Sequence, residues 1–161
     1  MTSLFKAFVQ KISSPLNFGF FLATKLPAAF FVGLKLNHIN EQSCTIQVKH
    51  TWFSKNPFKS VYFAAEAMAA EMSTGLLAFG HIYERQPKVS MLVVKMEAEY
   101  FKKGTGKLYF KCNDGVAVEQ AINAAIQTGE GQTLICNSIG TNEKGEKVAN
   151  FNFTWSFKAK G

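Results

Sequence analysis

A chain of 161 residues with 47% hydrophobic and 14% aromatic content, sixteen of them phenylalanine, has the length and composition of one packed globular domain and not of a disordered chain. Its net charge of +7 rests on 18 basic residues of which Arg85 is the only arginine. Nucleic-acid readers lean on arginine for bidentate contacts, so no nucleic-acid partner is expected, and scattered lysines suit a solvated surface or small anions. Cys44, Cys112 and Cys136 have no metal-ligand spacing, cannot all pair and fall in strand-like sequence. That pattern predicts buried, reduced thiols and no metal site.

The segment "SLFKAFVQKI" sets Leu4, Phe5, Phe8, Val9 and Ile12 at helical spacing, with Lys6 and Lys11 on the other side. It reads as an amphipathic helix that packs on the domain, with membrane-surface attachment as the alternative. Pro15 closes it, a short helix or turn covers residues 16–25, and Pro27 is predicted to begin an extended approach to a sheet. The apolar stretch "NFGFFLATKLPAAFFVGL" is broken by Lys25 and Pro27 and is too short to span a bilayer. It also starts too late after the first lysine for a secretory signal, so a cytoplasmic protein is expected.

From Gln42 the pattern alternates, with Cys44, Ile46, Val48, His50 and Trp52 on one side. This predicts a half-buried strand paired with "GLKLNHI", and a hydrogen-bonded structural His50 beside an inward Trp52. Further strands are predicted at "VSMLVVKMEAEYF", "GKLYFKCN", "QTLICNSIGT" and "KVANFNFTWSFK", with Leu92, Val94, Met96, Ala98 and Tyr100 sharing one face of the first. "VAVEQAINAAIQTGEG" carries a helical stripe of Val118, Ala121, Ile122, Ala125 and Ile126 that ends at Gly129. The sum is an α+β domain over residues 1–161 with an antiparallel sheet of about five or six strands, residues 1–26 forming a helical extension that packs on it.

The run from Val61 to Phe79 is apolar or helix-forming except for Glu66, Glu71, Ser73 and Thr74, and a helix apolar on every side is a buried one. Ser60 is the expected cap, and the end is expected near Gly80. Glu66 and Glu71 are five positions apart, about 140° around a helix, so the two carboxylates cannot share one intrahelical pocket. No basic residue reaches Glu71 along the helix. A carboxylate enclosed there is costly unless it is paired, for instance by Lys95 or a partner subunit, or functional.

From about residue 25 to the end, the chain resembles the hotdog-fold thioesterase superfamily, particularly its PaaI-like branch. In that pattern a loop Asn precedes by six residues a His-Gly-Gly that opens the central helix, and an Asp or Glu follows the His by nine. Asn56, Tyr62, Phe63, Ala64 and Glu71 stand at those positions, so the Asn and the acid are kept and Tyr-Phe-Ala replaces His-Gly-Gly. The resemblance implies a hotdog fold, a sheet wrapped around a long central helix, and hydrolysis of acyl-CoA or acyl-carrier thioesters in a homodimer or homotetramer.

It further implies Glu71 as general base or nucleophile, Asn56 as the residue orienting thioester or water, and oxyanion-stabilising amides near Phe63 and Ala64. A hydroxyl from the facing strand of the other subunit falls nearest to Ser90. Tyr62 and Glu66 would line the substrate site, and Lys102 and Lys103, with Lys55 and Lys59, would receive the phosphates of coenzyme A. Coenzyme A enters as part of the substrate, and no separate cofactor is implied. Because Tyr-Phe-Ala narrows the place where glycines permit close approach, a non-catalytic acyl-binding module and a purely structural dimer stand beside the enzyme as readings.

Overall fold

The computed structural model describes residues 3–160. Three helices come first: α1 (Ser3–Ile12), α2 (Pro15–Lys25) and α3 (Pro27–Val32). Strands β1 (Lys35–Ile39) and β2 (Cys44–Lys49) lead to the central helix α4 (Phe63–Ile82). Then follow β3 (Val89–Tyr100), β4 (Lys107–Cys112), helix α5 (Gly115–Thr128), β5 (Gln132–Asn142) and β6 (Lys147–Ala159). The six strands form one antiparallel sheet in the order β1-β2-β4-β5-β6-β3. Together with the 20-residue α4 this is an α+β hotdog fold.

The sheet wraps α4 because its inward side chains are large and apolar: Ile46, Val48, Leu108, Phe110, Phe151 and Phe157 are all buried. Burying six such side chains is worth on the order of 10 kcal/mol before chain entropy is counted. The helix answers with small residues, Ala69, Ala70, Ala78 and Gly75, which let strands approach closely. Ser73 satisfies its buried hydroxyl with the Ala70 carbonyl and Ser138. Helix α1 docks its Phe5, Phe8 and Ile12 face on the far end of α4, where a Cβ at Gly80 would lie 2.5 Å from the Phe5 ring. Of the apolar stripe read from the sequence, Phe5, Phe8 and Ile12 are buried, while Leu4 is exposed.

Four local expectations need correction. Pro27 opens α3 and not an extended segment, because proline in a first helical turn forfeits no hydrogen bond. Helix α4 starts two residues later than expected and Ser60 does not cap it: Val61 is held extended by a hydrogen bond from its N–H to the Gly104 carbonyl, and Ser60 is bonded to Asn56. The β2 alternation stops at Lys49, whose carbonyl accepts from Ser54 Oγ, while Ser54 Oγ accepts from the Thr51 N–H. That turn throws Trp52 outward to 72% exposure, and His50 Nε2 is buried with no hydrogen-bond partner among the described residues.

The fourth correction is a bulge in β3. Val89, Met91 and Val93 lie opposite Ala159, Phe157 and Trp155, and after Val94 the register shifts so that Met96, Ala98 and Tyr100 lie opposite Phe153, Phe151 and Ala149. Directly paired residues point to the same face. Met96, Ala98 and Tyr100 therefore face the helix side and Leu92 the other, so the five residues do not share a face. Strand β3 is also an edge, paired only with β6, and Met96 and Tyr100 stay exposed on the helix side.

Candidate active site

Helix α4 begins at the floor of a cleft of about 520 Å³, walled by the 56–63 segment, Glu66 and residues 100–104. The approach loop is braced by Asn56. Its Oδ1 accepts from the Phe58 and Ser60 N–H groups, and its Nδ2 donates to Ser60 Oγ and the Val61 carbonyl. Backbone bonds from Tyr62 N–H to the Ser54 carbonyl and from Val61 N–H to the Gly104 carbonyl fix the entry to the helix. Both ends of the Asn56 amide are thus engaged inside the loop it shapes.

Tyr62 supplies no side-chain cap to α4. Helix geometry leaves the Phe63 and Ala64 amides without intrahelical acceptors, so donors and the positive end of the helix dipole meet at the cleft floor. Tyr62 and Phe63 are exposed there, with ring centroids 4.8 Å apart. Lys102 and Lys103 stand in the wall of the same cleft. Lys102 pairs at 3.2 Å with Glu146, and Lys103 lies 6.0 Å from the Phe58 ring centre. Lys55 and Lys59 line a neighbouring depression of about 480 Å³ with His50, Asn56 and Pro57.

Glu66 is 3% exposed, and its Oε2 has no hydrogen-bond partner among the described residues. Burial pushes its carboxyl up to about 7. Tyr100, in the same cleft, is pushed up to about 12, first by burial and then by the charge of Glu66. Gly104 is needed above this carboxyl: a Cβ there would lie 2.5 Å from Leu108 Cδ1 and 2.7 Å from Glu66 Oε1. The glycine's part in the site is hidden in the sequence, where "KKGTG" signals only a turn.

Glu71 lies elsewhere, in a cleft of about 150 Å³ walled by Phe21, Leu26, Met72, Leu76, Phe79 and Met91. Its Oε1 occupies the space over Gly75, where a Cβ would come within 2.9 Å, beside the Trp155 ring. Trp155 is held by donating from Nε1 to Thr74 Oγ1 at 2.9 Å. Burial raises the Glu71 carboxyl above the usual carboxylate range. Lys95 is not its partner, because Lys95 pairs with Glu97 at 2.9 Å, and no ion pair among the described residues involves Glu71.

One chain therefore brings together Asn56, Tyr62, Phe63, Glu66, Lys102 and Lys103 in one cleft and leaves Glu71 in another. Ser90 belongs to neither. Its Oγ donates to the Lys158 carbonyl, and strand alternation turns it away from the face on which Met91 walls the Glu71 cleft. Among the described residues no cluster of histidine, cysteine, aspartate or glutamate can hold a metal ion, and no helix is long and apolar enough to cross a membrane.

The fold is that of the hotdog thioesterases. A probable thioesterase from Pseudomonas aeruginosa, PA5026, superposes with a TM-score of 0.76 at 17% identity, covering 91% of this chain and 97% of that one. The thioesterase HI1161 from Haemophilus influenzae does so with 0.65 at 11% identity over 91% of each chain. A mutant of the thioesterase SAV0944 from Staphylococcus aureus gives 0.63 at 17% identity, covering 86% of this chain and 98% of that one. At such identities the likeness establishes the fold. Residues 17–157 match a domain of unknown function, DUF4442, and the chain belongs to that family. No curated protein matches the sequence.

Proposed function

We propose that this protein hydrolyses acyl-CoA or acyl-carrier thioesters at a site completed by a second copy of the chain. The observation that carries the reading is the uncapped start of α4 at the floor of an apolar cleft with lysines at its wall. The Phe63 and Ala64 amides suit a developing oxyanion, which they stabilise without reorganising. Asn56 is a positioning residue, since it sets the loop that aims those amides.

Glu71 is the proposed base. It stands nine residues beyond Tyr62, about 13 Å along the helix, too far to reach a carbonyl held at its own helix start. A two-fold partner removes the difficulty. Edge strand β3 has an unpaired side, and α4 presents a half-buried stripe of Ala64, Ala67, Met68 and Glu71 that the sheet leaves uncovered. A second chain seated there would bring its Glu71 toward this chain's cleft.

The exposed Tyr62–Phe63 ring pair supports the second reading, an acyl-binding module in which these rings keep the thioester from the amides. Release of free coenzyme A across a panel of acyl-CoAs of varied length decides between them. Hydrolysis of any member supports the enzyme, and tight binding without hydrolysis supports the module. Light scattering that gave the 17.9 kDa monomer at micromolar concentration would remove the shared site.

The lysines make a further prediction. If Lys102 and Lys103 receive the nucleotide phosphates, raising salt weakens acyl-CoA binding, by about tenfold between low and physiological ionic strength, while binding of the matching fatty acid hardly changes. Equal salt sensitivity of the two ligands rejects the phosphate site.

A further inference from the structure

The N-terminal part of the molecule inverts the ordinary order of burial. In α3 the small Ala29 faces the core, while Phe30 and Phe31 face solvent, Phe31 at 59% exposure. Their rings continue outside the core: Phe30 lies 5.7 Å from Phe31, Phe31 5.9 Å from Phe53, and Phe53 5.0 Å from Trp52. This patch is held out and not merely loose, because the turn that carries Trp52 and Phe53 is pinned from beneath by fully buried Ser54. On α2, Leu16 and Phe20 are one turn apart and both largely exposed. Exposed apolar surface of this extent marks an interaction site.

Charge says what the partner is. Residues 1–65 contain seven lysines and one acid, Glu41, so six of the chain's seven net positive charges fall there. Lys35 walls the same cavity as Phe30, Lys25 the same groove as Phe20, and Lys55 stands 5.7 Å from the Trp52 ring centre. A second copy would bring like charge against like charge at this face, and the arginine on which nucleic-acid readers rely is absent from these residues. Aromatic side chains that end at headgroup depth, rimmed by lysines, match the interface of an anionic bilayer.

The geometry points to this surface, formed by α2, α3 and the 51–55 turn, as a docking face for membranes bearing anionic phospholipid. It does not depend on thioester chemistry.

The test is flotation of the full chain with phosphatidylglycerol–phosphatidylcholine vesicles and with phosphatidylcholine vesicles alone. Partitioning at least about tenfold stronger on the anionic vesicles, weakened by salt, is expected. Trp52 emission shifts to the blue on binding, while buried Trp155 contributes little change. Phe31→Ser with Phe53→Ser, and separately Lys25→Glu with Lys35→Glu, each weaken partitioning about tenfold with unaltered thermal melting. Substituted side chains that are exposed in the parent keep these variants foldable, and a Trp52→Phe protein that loses the emission shift reports the same contact without any loss of fold.

Equal partitioning on the two vesicle types, no partitioning on either, or variants that bind as tightly as the parent would overturn the assignment. So would a parent whose mass in vesicle-free solution falls on Phe31→Ser with Phe53→Ser, since a second copy would then be the occupant.

Discussion

Glu71→Gln is expected to lower acyl-CoA turnover at least about a hundredfold, the scale of a positioned general base, while ligand binding and melting temperature hold or improve. The carboxylate shares a cleft with Met72, Leu76, Phe79 and Met91, burial raises its carboxyl, and no ion pair among the described residues involves it. Removing its charge therefore relieves desolvation and strands no cation. Had Glu71 been half of a buried pair, the same change would cost about 3 kcal/mol or more. Steady-state release of coenzyme A and a thermal melt on one preparation separate the outcomes. Full turnover by the variant rejects the base, and a large drop in melting temperature assigns Glu71 to structure.

Glu66→Gln is expected to act on stability. Burial raises the Glu66 carboxyl from 4.5 to about 7 in the folded chain. Between those values the folded state holds a proton that the unfolded state has released, so stability falls as pH rises from about 4.5 through 7. The full span corresponds to about 3 kcal/mol above neutral pH. Glutamine keeps the shape and cannot ionise. The variant should therefore melt roughly 5–10 °C above the parent at pH 8, match it closely near pH 4, and lose little turnover beside Glu71→Gln. Melts of both proteins across that range are the measurement, and a parent–variant difference that does not change with pH sinks the assignment. Glu71, raised in the same direction, is present in both proteins and cancels in the comparison.

What could be read ahead of the structure follows from which interactions are local. A run apolar or helix-forming but for four residues, and long enough for five helical turns, identified α4, and period-two patterning identified the strands, because both signals sit in neighbouring residues. The bulge at Val94 is set by pairing with β6, some sixty residues away, and the outward turn at Trp52 by a buried Ser54 hydroxyl, so neither left a period to read. The spacing of Asn56, Phe63, Ala64 and Glu71 pointed to candidate chemistry without saying which atoms are free. Asn56 is engaged within its own loop, whereas the carboxyl of Glu66 owes its raised state to burial beneath residues distant in the chain, Tyr100 and Gly104 among them.

The same bulge bears on how this chain avoids aggregation. A flat twelve-residue edge strand with one unpaired side is a template to which strands can add without limit, as they do in fibrils. An extra residue at Val94 bends and twists the strand midway, and Lys95, Glu97 and Glu99 follow it directly as charged gatekeepers. Growth by edge addition then requires a partner whose strand carries the matching bend, a requirement that foreign β-segments do not meet.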